Sequence, residues 1–156
     1  MLSHSRPETN LDRLTDTLRQ ATSASTDLFY DFVTAACTRL PAMRRAGKAA
    51  DFDRLVETGA WCDAALALMA LEAPGWCIRR LINEDGEWFC SLSREPNLPA
   101  ALDDTADANH QVLPLAILSA FLEARRRSLA AQAAGQSAVP AIRPAYAGAI
   151  CCDNFS

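Results

Sequence analysis

A β-hairpin is predicted between residues 76 and 93, and this stretch constrains the fold more than any other part of the chain. Two runs rich in aromatic and β-branched residues flank an Asp-Gly pair at positions 85 and 86. Asp-Gly between two strand-like runs is a strong local signal for a tight hairpin turn. Alanine-rich helical runs precede and follow the hairpin, so the pattern indicates a small sheet covered by helices.

The register of this hairpin depends on the length of its loop. A three-residue loop closed by a glycine bulge places Ile82 opposite Trp88 on a mostly apolar face, and leaves Leu81 beside Phe89 on the other face. A two-residue loop shifts the pairing by one residue and sets Ile82 against Phe89 instead. The three-residue loop is preferred here because the shift scrambles both faces.

Helices are predicted on both sides of the hairpin because apolar residues recur there at helical spacing. Their predicted spans are residues 27–40, residues 51–72, and a last helix that starts at residues 103–105 or near Val112 and runs to about residue 127. Pro41 is expected to end the first of them. The prediction is therefore an α+β fold: a helix–β-hairpin–helix module, with two helices packed on a two-stranded antiparallel sheet, and an extra N-terminal helix.

One domain is expected, because 156 residues are enough for one hydrophobic core but not comfortably for two. We expect this domain over residues 27–132. Residues 1–26 are predicted to be a flexible N-terminal arm, with at most a short helix that carries three leucines on one side. Residues 133–156 are rich in Ala, Gln, Gly, Pro and Ser, which predicts a mobile C-terminal tail.

The order of these elements also carries a resemblance over roughly residues 51–127. Its markers are AW at 60–61, GW at 75–76, DGEW at 85–88, Cys90 and AILSA at 116–120. In this order the chain resembles the small α–β–β–α proteins of the phage ABA-sandwich family, and uncharacterised small bacterial proteins with the same arrangement. The resemblance implies the helix–hairpin–helix fold and brings no known activity or catalytic residues.

Charge and hydropathy argue against several classes of function. A net charge of −4 is unfavourable for a dedicated nucleic-acid or anionic-membrane binder. No apolar run approaches the roughly 20 residues that a membrane-spanning helix needs. The N-terminal residues lack the apolar segment of a secretory signal. A cytoplasmic protein that binds neither membranes nor nucleic acid is the resulting expectation.

Three polar residues form the best candidate for a metal site. If the last helix begins at residues 103–105, then Asp103, Asp107 and His110 lie one turn apart on one side of it. Acidic residues are also favoured at a helix N-terminus without any ligand, and a surface histidine then needs no further explanation. The second interpretation is preferred, so no metal or other cofactor is predicted.

The cysteines offer a second candidate chemistry. The sequence contains six, with no Cys-x-x-Cys spacing, and a reducing cytoplasm keeps most thiols free. Cys90 is a candidate redox thiol if Arg80, opposite it in the preferred register, lowers its pKa. Core packing is the favoured interpretation of Cys90. The adjacent pair Cys151 and Cys152 is the more exposed candidate for oxidation.

The remaining prediction is an interaction module without catalytic residues. The sequence has no glycine-rich phosphate loop, no Gly-x-Ser-x-Gly and no His-Glu-x-x-His, so an enzyme is the less favoured reading. A hairpin covered on one face leaves open strand edges, and a second face with Leu81, Phe89 and Arg79. We therefore predict contact with another protein, most simply a homodimer in which strand edges meet. The competing hypothesis is a small thiol-redox or metal-responsive protein that uses Cys90 or the Asp107–His110 cluster.

Overall fold

The computed structural model describes residues 7–137. In chain order, the elements of this part are α1 (Pro7–Gln20), α2 (Thr26–Ala36), α3 (Leu40–Arg45), α4 (Ala50–Glu57), α5 (Trp61–Glu72), β1 (Cys77–Glu84), β2 (Glu87–Ser93), β3 (Ala106–His110) and α6 (Leu113–Ser137). The predicted α+β class is confirmed, because the described residues combine six helices with one antiparallel sheet. No helix among them has the length and apolar character needed to cross a membrane.

The sheet has three strands in the order β1-β2-β3, one more than the sequence analysis predicted. Helix α6 lies against β2 and β3, while α1, α2 and α5 complete the helical layer around it. The core between these layers is aromatic and aliphatic, and Phe32 stacks at a tilt on Phe121 with 5.3 Å between ring centroids. Strand β1 lies beyond the area that α6 covers, so it depends mainly on β2 for its contacts.

The hairpin uses the two-residue loop, so the preferred three-residue loop was wrong. Asp85 and Gly86 both have positive φ, 52° and 84°, as a type I′ turn requires. Such a turn matches the right-handed twist of the two strands, and Asp-Gly is well suited to it. Ile82 consequently pairs with Phe89, and Leu81 pairs with Cys90.

A β-bulge in β1 explains why part of the other register still appears. The pairing shifts between Ile78 and Arg80, so that Arg79 is an extra residue on this strand. The bulge allows Ile78 to pair with Leu92 on the core side while the following residues keep the register set by the turn. The extra residue leaves the ladder, and its side chain reaches the segment that follows β2.

Strand β3 occupies residues that the sequence analysis placed at the start of the last helix. Its residues alternate, with Ala106 and His110 buried and Asp107 and Asn109 exposed. Alanine, aspartate and asparagine are uncommon in strands, so the period-two pattern was hidden by composition. Helix α6 begins at Leu113, in agreement with the second of the two predicted starts.

The predicted helix over residues 51–72 is two helices, α4 and α5. Gly59 has φ +73° and ends α4 in a Schellman motif, in which Ala60 N–H donates to the Leu55 carbonyl and Gly59 N–H to the Val56 carbonyl. Only glycine adopts this conformation readily, so the break is a property of the sequence at that position. The alanine-rich α5 then packs against α6.

Pro41 begins a helix instead of ending one. Helix α2 stops at Ala36, and Pro41 stands in the first turn of the short helix α3, where its missing N–H costs no hydrogen bond. The carboxylate of Glu72, only 5% exposed, accepts the backbone N–H groups of Thr38 and Leu40. A carboxylate from the end of α5 therefore supplies the N-terminal cap of α3.

Residues 7–20 are part of the fold, so the expectation of a separate arm over residues 1–26 was wrong for them. Leu11, Leu14 and Leu18 of α1 are at most 4% exposed and belong to the core. Val112 N–H donates to Nδ1 of His110, which leaves Nε2–H of that ring to donate to the Leu18 carbonyl at 2.9 Å. Helix α6 also continues to Ser137, into the predicted tail, whose remainder lies outside the described residues.

Candidate interaction surface

One face of the sheet is turned away from α6, and we call it the open face. Side chains alternate between the faces of a strand, and Cys90 and Leu92 of β2 point into the core. The residues of β2 that alternate with these two, and their partners on β1 and β3, therefore belong to the opposite face. The open face carries Arg80, Ile82, Glu84, Glu87, Phe89, Ser91, Asp107 and Asn109.

The centre of the open face is apolar. Ile82 and Phe89 are directly paired, both are half-buried, and both stand apart from the core of the described residues. A β-branched residue opposite an aromatic residue is a stabilising cross-strand pair. Two apolar side chains thus lie on the side of the sheet that α6 does not cover.

Charges of opposite sign flank this apolar centre along β1. Arg80 and Glu84 are exposed, and each is two residues from Ile82 on the same face. Neither takes part in an ion pair within the described part of the chain. Glu84 instead stands opposite Glu87 on β2, which places two carboxylates side by side.

Strand β1 is an edge strand of eight residues. One row of its backbone N–H and C=O groups faces away from β2, and such a row is a ready template for another strand. The bulge at Arg79 interrupts the regular edge at one end, which leaves residues 80–84 as its regular portion. These are the residues that carry the charges and the apolar centre.

A polar network closes the other end of the open face. Asp103, whose side chain is 2% exposed, forms an ion pair with Arg79 and accepts a hydrogen bond of 2.6 Å from Ser93 Oγ. The guanidinium of Arg79 also donates to the carbonyls of Pro96 and Leu98. The segment between β2 and β3 is therefore fastened over this end of the sheet.

The three residues predicted to form an interaction surface do not share one face. Leu81 pairs with Cys90 and packs against the core, so its predicted position beside Phe89 was wrong. Arg79 is engaged by Asp103. Phe89 does lie on the open face. Its neighbours there are Ile82 and Arg80, which the correct register would have identified.

The candidate metal ligands do not converge. Asp103 is bound to Arg79, and Asp107 accepts hydrogen bonds from Ser91 Oγ at 2.6 Å and Thr105 Oγ1 at 3.2 Å. His110 points to the opposite face of the sheet, where the Leu18 carbonyl of α1 and the backbone N–H of Val112, just before α6, occupy both its ring nitrogens. Within residues 7–137, no cluster of three histidine, cysteine or carboxylate side chains is placed to hold a metal.

Cys90 is fully buried, and burial, with a smaller contribution from Asp107, raises the pKa of its thiol to about 12. Arg80 faces Ser91 and therefore lies on the other side of the sheet. Burial likewise raises the pKa of Cys37, with the Glu72 carboxylate adding to the effect. These environments oppose thiolate formation. Cys151 and Cys152 lie outside the described residues.

Thiol labelling is expected to follow this order of exposure. In the native protein at about pH 8, Cys77 on β1 is exposed and should react quickly, whereas Cys90 should react only after unfolding. A raised pKa means that less of the reactive thiolate exists at any pH below it, so Cys90 should stay slow as the pH rises toward 9. Timed alkylation with peptide mass spectrometry measures each site, and fast labelling of native Cys90 would contradict the structure.

Comparison with known proteins finds no family model, no curated protein and no solved structure that matches this chain. The resemblance to phage ABA-sandwich proteins stays a prediction.

Proposed function

We propose that the protein is a non-enzymatic interaction module that assembles with a second copy of itself through the edge of β1. The support is the charge pattern of that edge. Because Arg80 and Glu84 are equally far from Ile82, an antiparallel pairing centred on Ile82 places each Arg80 opposite Glu84 of the second copy. The strand is thus complementary to itself in one register.

The same register extends the apolar centre. Ile82 of one copy meets Ile82 of the other, and each is already paired with Phe89 within its own sheet. The result is a row of four apolar side chains across a six-stranded sheet built from two three-stranded ones. The exposed backbone groups of the edge gain partners at the same time, so the strand pairing removes an aggregation-prone edge.

The proposal keeps the cytoplasmic location expected from the sequence. The four cysteines in the described part, Cys37, Cys62, Cys77 and Cys90, are free thiols, as suits a reducing compartment. The thiol-based alternative has less support, since the best-placed thiol is buried and its pKa is raised.

Charge reversal on β1 tests the assembly. Arg80→Glu or Glu84→Arg alone replaces two attractive cross-strand pairs by two repulsive ones, and should weaken the dimer about tenfold or more. The double variant exchanges the charges and should restore most of the affinity. Sedimentation equilibrium over a concentration series gives the dissociation constant of each protein.

Glu57→Arg is the matched control for Glu84→Arg, because it makes the same charge change at an exposed position on α4. It should leave the dimer unaffected. A wild-type protein that is monomeric at high micromolar concentration would reject the proposal. A dimer whose dissociation constant is unchanged in both single variants would show that the copies meet on another surface.

A further inference from the structure

A cleft of about 400 Å³ lies where the end of α5, the turn before β1 and the middle of α6 meet. The apolar part of its wall includes Pro74, Trp76 and Phe121, and its polar part includes Arg94 and Arg125. This volume falls within the range typical of small-molecule sites. It is separate from the open face, since Phe121 belongs to the core on the other side of the sheet.

Two guanidinium groups line this cleft without a carboxylate partner in the part of the chain that the structure describes. Arg94 lies over the ring of Trp76, with 4.9 Å between its Cζ and the ring centroid, and donates to Ser128 Oγ at 2.7 Å. Arg125 donates to Thr38 Oγ1 at 2.8 Å. Each guanidinium has five N–H donors, so most of its donors remain available to a ligand.

The carboxylate on the wall is already occupied. Both oxygens of Glu72 accept backbone N–H groups, from Thr38 and Leu40, and the side chain is buried. Helix α6 meanwhile presents Phe121, Arg125 and Ser128 at helical spacing on the side that faces the cleft. The accessible charge of the cleft is therefore positive.

We infer that this cleft binds a small organic anion, in which a carboxylate or phosphate group is carried on an apolar body. The anionic group is bound by Arg94 and Arg125, because guanidinium forms strong, often paired hydrogen bonds with such oxygens. The apolar body lies along exposed Pro74 and the part of the Trp76 ring that Arg94 leaves uncovered, since this tryptophan is 8% exposed. Inorganic phosphate would lack the contact with Pro74 and Trp76, and a neutral aromatic ring would lack the contact with the two arginines.

Titration with four probes tests this assignment: phenyl phosphate, benzoate, inorganic phosphate and benzyl alcohol. Binding is followed by calorimetry and by the indole N–H signals of the three tryptophans in the NMR spectrum of the full chain. Phenyl phosphate or benzoate should shift the Trp76 signal, identified by its loss in Trp76→Phe, and leave those of Trp61 and Trp88 in place. Comparing the affinities of the two aromatic anions shows whether the cleft prefers a phosphate or a carboxylate group.

Arg94→Gln and Arg125→Gln should each weaken the better aromatic anion at least about tenfold, because each removes charge-assisted hydrogen bonds. Arg13→Gln, at an exposed arginine of α1 that has no ion pair among the described residues, is the control and should bind normally. The spread of the indole signals shows that each variant is folded. Absence of a saturable Trp76 shift, or equal affinity in all three variants, would overturn the inference.

Discussion

Replacing Asp103 by alanine is expected to lower the free energy of unfolding by about 3–5 kcal/mol. The side chain of Asp103 is 2% exposed and that of Arg79 only 22% exposed, so the substitution leaves a largely buried guanidinium without its counter-charge. It also removes the acceptor of the Ser93 hydroxyl. Urea unfolding of the purified protein, monitored by tryptophan fluorescence, measures the loss.

The neighbouring residue provides the control. Asp104 forms an ion pair with Arg127, but its side chain is 80% exposed. Solvent screens such a pair, and Asp104→Ala should cost about 1 kcal/mol or less. Equal losses for the two adjacent alanine variants would show that the segment from residue 94 to 105 is not fastened to the sheet through Asp103.

Leu18→Ala is expected to destabilise the protein by about 2–5 kcal/mol, because it removes a side chain that is 1% exposed in the core. The result matters because the sequence analysis placed this leucine in an arm outside the domain. Leu66→Ala makes the same change on helix α5, at a side chain that is 37% exposed. It should cost about 1 kcal/mol or less.

Both losses can be measured by the same urea unfolding experiment. A Leu18→Ala variant as stable as Leu66→Ala would separate α1 from the folded core. A large loss would instead make α1 an obligatory part of it, together with the hydrogen bond from His110 to the Leu18 carbonyl.

Local signals in the sequence were enough to predict the hairpin and the α+β class. The Asp-Gly pair marks the turn, and the helical periodicity on both sides of it marks the covering layer. The predicted loop length was wrong because strict alternation along β1, combined with a two-residue loop, mixes apolar and polar side chains on both faces of the hairpin. The bulge at Arg79 removes that objection, since Ile78 returns to the core side without any change at the turn.

The third strand was missed for a different reason. Residues 106–110 contain two alanines, an aspartate and an asparagine, which have low strand propensity, and this edge strand is held by pairing with β2 and by contact with α6. Tertiary contacts of this kind leave little trace in local sequence. The candidate metal cluster assumed that this segment is helical. In a strand, Asp107 and His110 point to opposite faces, so they cannot bind one metal ion together.

The interaction surface was predictable in part. Phe89 stands on the open face, but only the two-residue loop places Ile82, with the two charged residues that flank it, on the same face as Phe89. Had the turn been assigned as type I′ from the Asp-Gly pair alone, the complementary pattern of Arg80, Ile82 and Glu84 would have followed from the sequence. The cleft beside Trp76 would not, since Arg94 and Arg125 meet there only after α6 has packed.

The hydrogen bond between His110 and Leu18 also has a consequence for how the chain folds as it is synthesised. The two residues are separated by 92 positions, so ribosomes elongating at 5–20 residues per second make the second roughly 5–20 s after the first. During that interval α2, which packs against α1, is made, but α6 and the strand β3 that carries His110 are not. The α6 side of the site that holds its three core leucines is therefore missing until α6 has been synthesised, and a chain interrupted before α6 would leave these leucines only partly covered.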